Sequence, residues 1–347
     1  MPSTVTHSYF MKDVYDLLSD NIKNNIILES AKTFSQGPDI FYFYNMGLGK
    51  KSSRYRNNGY FMHKNNVNLY FTNIIKYIKD NELTSNRECF SYLVGAISHF
   101  VLDSTIHPFV YYNTGLFIKN VKQSYKYNGL HQEMEYYLDA YMIFQNEKVE
   151  AKKYKMYKYI LNNDALSSET ITLINNVIND TYSFNSMGDI YNKCVHDMKL
   201  FFKYLNYDPY GIKKVIYTLF DVVTPKRFMI KRKFSFYLDH NSKREYLNLE
   251  KNDWNLPCDL NEIYNYSFIE LYVIAKNKCV SIINDIYKLL NSDRIDYTKI
   301  EKIFGNLSYT TGKDCDDKSV SLKYFKFLKR RFLWILESTK KKIINSY

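Results

Sequence analysis

The chain has 347 residues, 46% of them hydrophobic and 24% charged, which is enough to bury a sizeable core and excludes global disorder. With 17% aromatic residues but only 11 Gly and 6 Pro, the composition speaks against a turn-rich β-sandwich and for helices. The net charge of +12 is uneven: residues 1–200 carry 21 basic and 19 acidic side chains and residues 201–347 carry 27 and 17, so the second half suits an anionic partner.

In chain order, apolar residues recur at three- and four-residue spacing over Tyr9–Leu18, Ile22–Phe34, Leu69–Ile78 and Cys89–Ile106. The same spacing recurs over His131–Phe144, Ile171–Ile178, Ile190–Leu205, Ile263–Leu290 and Leu322–Ile344, and each of these segments is expected to be a helix. Arg232–Leu238 is the best strand candidate, and Asn241–Leu260 reads as the longest connection. The expected class is therefore all-α.

Tyr92–Tyr112 has no Lys or Arg and could be mistaken for a membrane span by length. His99, Asp103 and His107 lie within it and Pro108 is expected to break its end, so it reads as a buried central helix and no transmembrane segment is expected. Five scattered cysteines without a Cys-x-x-Cys pair predict reduced thiols. The first residues, Met-Pro-Ser-Thr-Val-Thr-His, have no signal-peptide pattern, so a cytoplasmic chain, peripheral at a membrane, is expected.

Five of the 7 histidines fall in the first 131 residues. His99, Asp103 and His107 recur at steps of four, which puts them along one face of a helix, and His131 and Glu135 repeat the step. Imidazole and carboxylate presented from adjacent turns suit a borderline cation such as Zn²⁺. The spacing alone equally fits hydrogen-bonded core pairs.

The order of residues adds a resemblance. His7, Gln36-Gly37-Pro38-Asp39, His63, His99-x-x-x-Asp103, His107-Pro108 and His131-x-x-x-Glu135 resemble the pattern of the zinc-dependent phospholipase C family. That family shares its multi-helix fold and three-zinc site with single-strand-specific zinc nucleases. The resemblance covers roughly residues 1–140.

It implies that Asp39, His63, His99 and Asp103 hold one zinc, with Asp103 bridging to a second ion. His7 and the chain's own amine would complete the second shell, and His107, His131 and Glu135 would hold a third ion. The family presents an N-terminal Trp to zinc; here, removal of Met1 would offer the Pro2 amine instead. His107 follows Asp103 two residues sooner than the family spacing. The resemblance ends near residue 140, and the helical spacing beyond it leads to the expected organisation: a single helical domain over residues 1–347, with a metal-site core at 1–140, a helical continuation at 141–240 and a basic helical C-terminal extension at 241–347.

The implied reaction is hydrolysis of a phosphodiester, phospholipase C-type cleavage of a phospholipid headgroup. Metal ions would lower the pKa of a shared bridging water and stabilise the leaving alkoxide, with Asp39 as proton acceptor or as ligand only. Two alternatives stay open. One is a zinc nuclease or nucleotidase on the same fold, and the other is a non-catalytic membrane-associated protein with a degenerate site.

Gly47-Leu48-Gly49-Lys50-Lys51-Ser52 is not a phosphate loop, because Tyr44 stands where its first Gly should be. Lys50–Arg56 reads as a solvated basic loop, and His196 and His240 have ordinary roles. Lys226–Arg244 carries seven basic residues against Asp239, and Lys323–Lys342 carries eight against Glu337, both with aromatics interleaved. They fit the core faces of helices with charges outside, an anionic membrane surface or stacked nucleotides.

Overall fold

The computed structural model describes residues 4–161, 165–236 and 239–326. In order, the chain forms α1 (Thr4–Leu17), α2 (Asp20–Lys23), α3 (Leu28–Phe34), a 3₁₀ segment (Gly37–Gly47), α4 (Gly49–Met62), α5 (Val67–Asp80) and α6 (Arg87–Thr114). There follow α7 (Leu130–Glu147), α8 (Met156–Tyr159), α9 (Ser168–Tyr182), α10 (Met187–Phe201), α11 (Ile212–Val223) and α12 (Lys231–Phe234). A hairpin of β1 (Trp254–Leu256) and β2 (Asp259–Tyr264) precedes α13 (Phe268–Leu290) and α14 (Tyr297–Phe304). The class is all-α, as the composition suggests.

The axis of the fold is α6. Asn86 caps it by accepting the N–H groups of Glu88 and Cys89, each at 3.1 Å. Beyond its first turn it is apolar on nearly every side, which a helix can be only when other elements cover it all round. It packs against α1, α3, α7 and α13. Among the described residues it is the one helix long and apolar enough to cross a membrane, and 94% of its most apolar stretch is buried in protein.

Pro108 does not end α6, which runs on to Thr114. A proline removes the N–H that would bond the carbonyl four residues back, here that of Ser104. Gly312 approaches that carbonyl so closely that a Cβ there would lie 2.8 Å from it.

Other sequence expectations need correction. Ile22–Phe34 is broken into α2 and α3, because Asn24–Ile27 leave the helix between them. Residues 263 and 264 belong to β2, so the helix expected from Ile263 starts at Phe268, where Ser267 and Glu270 form a capping box. Lys50–Arg56 is not a loop: it lies in α4, whose few buried residues (Ser52, Gly59, Met62) pack on the 3₁₀ segment.

Arg232–Leu238 is not a strand either. Its first residues are in α12, Phe236 is buried, and residues 237 and 238 lie outside the described residues. The strands arise instead within the expected connection. Trp254 pairs with Tyr264 and Asn255 with Ile263. Trp254 lies edge-on to Phe109 on α6, which buries the hairpin's start on the central helix.

In Leu322–Ile344, residues 322–326 are not helical and the remainder lies outside the described residues. All five cysteines are free thiols.

Candidate metal centre

The ligand candidates come from separate elements that converge on the middle of α6. His7 is on α1, Asp39 in the 3₁₀ segment, His63 just past α4, His99, Asp103 and His107 on α6, and His131 and Glu135 on α7. Each four-residue step along a helix turns about 40° past a full circle. His99 and His107 therefore diverge, and Asp103 stands between two clusters.

In the first cluster, His63 Nε2 lies 3.2 Å from Asp39 Oδ1 and His99 Nε2 lies 3.1 Å from Asp103 Oδ2. His7 Nε2 reaches the other oxygen, Asp103 Oδ1, at 3.1 Å. In the second cluster, Glu135 Oε1 is 2.9 Å from His131 Nε2 and 3.4 Å from His107 Nε2. His107 Nδ1 is also 3.5 Å from Asp103 Oδ2, so the two clusters adjoin.

The ring orientations are set from behind. His63 Nδ1 donates to the carbonyl of Gly59 (2.6 Å), His99 Nδ1 to that of Ser35 (3.0 Å) and His107 Nδ1 to that of Tyr309 (3.0 Å). Such bonds fix the tautomer that leaves Nε2 as an electron-pair donor facing inward. His99 also has Gly37 against its ring and stacks on His7 with centroids 4.4 Å apart. Gln36 Nε2 donates to the Thr4 carbonyl (3.1 Å), and buried Asp139 accepts from the N–H groups of Val5 and Thr6 at 3.2 and 2.8 Å. Together they hold the start of α1, and with it His7, against the site.

Burial pushes the carboxyl groups towards neutrality, but neighbouring imidazoles outweigh it. Asp39 is held below its ordinary range by His63 and His99, and Asp103 well below by His107, His99 and His7. Glu135 is brought down to about 2 by His131 and His107. Burial also works against charge on His107, yet Asp103 and Glu135 raise it to about 9. The carboxylates are therefore ionised at neutral pH, and without a metal the protonated His107 ring supplies the positive charge that a bound cation would replace at Nε2.

Several polar atoms have no hydrogen-bond partner: His7 Nδ1, His99 Nε2, Asp103 Oδ2, His131 Nδ1 and Glu135 Oε2. Leaving such atoms buried is costly. Two of them, His99 Nε2 and Asp103 Oδ2, face each other without hydrogen-bond alignment. Zinc–ligand bonds of about 2.0–2.1 Å place tetrahedral ligands roughly 3.3 Å apart, close to the spacings found. Asp39, His63, His99 and Asp103 have donor atoms within 4.8 Å of one another, as do His107, His131 and Glu135. The donor set of imidazole and carboxylate, its spacing and its orphaned atoms fit zinc.

Of the residues singled out in the sequence, His7, Asp39, His63, His99, Asp103, His107, His131 and Glu135 are brought together. Pro2 lies outside the described residues. His240 stacks on Phe144 at 3.6 Å and His196 is exposed on α10, both away from the clusters. Tyr309 and Asp139 were not picked out in the sequence. Tyr309 acts through main-chain groups, which no residue pattern reveals; Asp139 continues the four-residue step of His131 and Glu135, a signal that was available.

Adjoining buried clusters of imidazole and carboxylate in a helical protein suit it to bind metal. The family model for zinc-dependent phospholipase C matches residues 6–184, more than half of the chain and every described ligand candidate, so the chain belongs to that family and its metal is zinc. Neither the curated proteins nor the solved structures searched gave a match. The family and the donor clusters together support a phospholipase C-like zinc phosphodiesterase.

Proposed function

We propose that the chain is a phospholipase C that hydrolyses the phosphodiester between a phospholipid's glycerol and its phosphorylated headgroup. The observation that carries this reading is Asp103, whose two carboxylate oxygens face His7 on one side and His99 on the other, beside a further cluster at His107.

Asp39, His63, His99 and Asp103 would hold one zinc, Asp103 and His7 a second with the chain's amine, and His107, His131 and Glu135 a third. When bound, zinc supplies positive charge at the phosphate and lowers the pKa of a water molecule towards neutrality. The protein's own part is positional. The carbonyls of Gly59, Ser35 and Tyr309 orient the imidazoles. Asp39, kept ionised by His63 and His99, accepts the nucleophile's proton at a carboxylate oxygen.

His7 and His99 are sealed from solvent, whereas the His107 and His131 side chains keep 12% and 19% of their exposure, so substrate enters from the second cluster. Burial, with nearby carboxylate charge, raises the Tyr42 and Tyr111 phenols well above their usual range. They remain hydrogen-bond donors suited to an anionic phosphate.

The test is hydrolysis of phosphatidylcholine and of single-stranded DNA by the zinc-loaded protein, before and after chelation. Chelator-sensitive release of phosphorylated headgroup is expected, and its absence overturns the proposal. Faster cleavage of DNA would assign the site to nuclease chemistry. Asp39→Asn should lower kcat by about 10²-fold or more if Asp39 moves a proton.

A further inference from the structure

A helix at a protein surface ordinarily turns its apolar stripe inward. Helix α11 does the reverse. Ile212, Val215, Ile216, Leu219, Phe220, Val222 and Val223 are all exposed, Val222 and Val223 by nearly four-fifths, and none of the helix's residues is buried. These positions form one continuous stripe at three- and four-residue spacing.

The polar side is the one that faces the protein. The Tyr217 hydroxyl donates to the Leu205 carbonyl (2.7 Å), and Lys213 Nζ to that of Tyr207 (2.6 Å). Asp221 accepts the N–H groups of Ile230 and Lys231 at 2.6 and 3.0 Å. The orientation is thus fixed by specific bonds, and an apolar row is held out towards solvent.

The segment after α11 ties the helix to the candidate centre. Asn128 Nδ2 donates to the Lys226 carbonyl (2.7 Å), and Tyr136, on α7, donates to that of Lys233 (2.9 Å). Arg232 pairs with Glu133 at 3.0 Å. Residues 226–233 are therefore fastened along the start of α7, which carries His131 and Glu135, the more open side of the site.

Charge selects the occupant. Residues 212–233 contain seven Lys or Arg and a single acid, Asp221; Lys213 faces the protein and Arg232 is paired with Glu133, which leaves Lys226 and Arg227 as the exposed cations. A second copy of this face, or the chain's own basic Lys323–Lys342, would set cation against cation. An anionic lipid surface matches both the apolar row and the charge. At 12 residues, α11 is about 18 Å long, too short to span a bilayer but suited to lie in its interface.

We propose that α11 and residues 226–233 form an interfacial anchor that lays the entrance of the site against an anionic phospholipid surface. The anchor deepens the phospholipase reading and takes its purpose from it, but its geometry stands without the metal chemistry.

The test is co-sedimentation of the zinc-loaded full chain, in the cold, with vesicles of phosphatidylcholine alone or mixed with phosphatidylglycerol. Binding about tenfold stronger to the mixed vesicles, and weakened by salt, is expected. Leu219→Glu with Phe220→Glu should lower it about tenfold or more, while hydrolysis of a soluble short-chain phosphatidylcholine is unchanged. Lys226→Glu with Arg227→Glu should abolish the preference for phosphatidylglycerol. The anchor is overturned if the wild-type chain ignores both vesicles, if the glutamate pair binds as tightly as wild type, or if α11 instead mediates a dimer that the pair dissociates. Loss of vesicle binding with short-chain hydrolysis intact separates failure of the anchor from failure of the enzyme reading, in which short-chain hydrolysis itself is absent.

Discussion

The backbone N–H of Tyr309 donates to the carbonyl of His63 at 3.0 Å. A residue far beyond the family match thus secures the main chain of a metal-ligand candidate, while its own carbonyl accepts from His107. Its ring stands edge-on to His63 and His99, with centroids 5.0 and 5.7 Å away. Tyr309→Ala removes this buried ring and should cost about 3 kcal/mol or more in urea unfolding. Bound zinc per chain, read by elemental analysis, should fall as well; unchanged zinc content would show that the ring only packs.

Gly37 leaves room for the imidazole of His99 and no more. A methyl group there would fall 2.5 Å from His99 Cγ, and the backbone φ of +50° is itself unfavourable for a side chain. Gly37→Ala should destabilise the protein by about 3 kcal/mol and reduce zinc binding. Gly49→Ala is the control: φ is +85° but no atom lies within 4 Å, so only the backbone cost of about 1 kcal/mol is expected. Equal losses in thermal unfolding would mean that the contact with His99 is unimportant.

Asp139 holds the first turn of α1 through two N–H groups and the Thr6 hydroxyl, the last at 2.8 Å. Asp139→Ala leaves these donors buried and should cost about 3 kcal/mol. The zinc bound with His7 should weaken most, because Asp139 holds the turn of α1 that carries His7, whereas His131 and Glu135 sit on α7 itself. Zinc titration that resolves the sites checks this.

Acid behaviour can be read at Glu270. Lys251 pairs with it and the Ser267 N–H bonds to it, which together bring its carboxyl from the usual 4.5 down to about 2. Because the folded value is the lower one, this stabilisation is complete above pH 4.5 and is lost as pH falls towards 2. Lys251→Met should move the Glu270 midpoint, followed by NMR of the carboxyl carbon, up towards 4.5. No movement would exclude the pair as its cause.

Much of the fold could be read in the sequence where local periodicity and burial agree. The apolar run of Cys89–Ile106 located α6, and the four-residue steps placed His99, Asp103 and His107 on it. Reading failed where long-range packing decides. The Lys-, Asn- and Ser-rich α4 has little apolar character of its own and is shaped by its contact with the 3₁₀ segment. The hairpin at Trp254 lies in a stretch whose Asn, Asp and Pro suggest a connection, and its pairing is anchored by one aromatic on α6. Helix α11 was not among the helices expected from the sequence, and amphipathic spacing alone would not have said which side faces the protein.

The clamp at Tyr309 also bears on the order in which the molecule can be made. All the described ligand candidates are synthesised by residue 135, whereas the segment that braces His63 and His107 arrives more than 170 residues later. During synthesis, all these candidates therefore leave the ribosome before the segment that braces two of them exists. Release of zinc from the finished protein is expected to follow how often residues 308–312 open, which zinc exchange timed against hydrogen exchange of the Tyr309 amide would test.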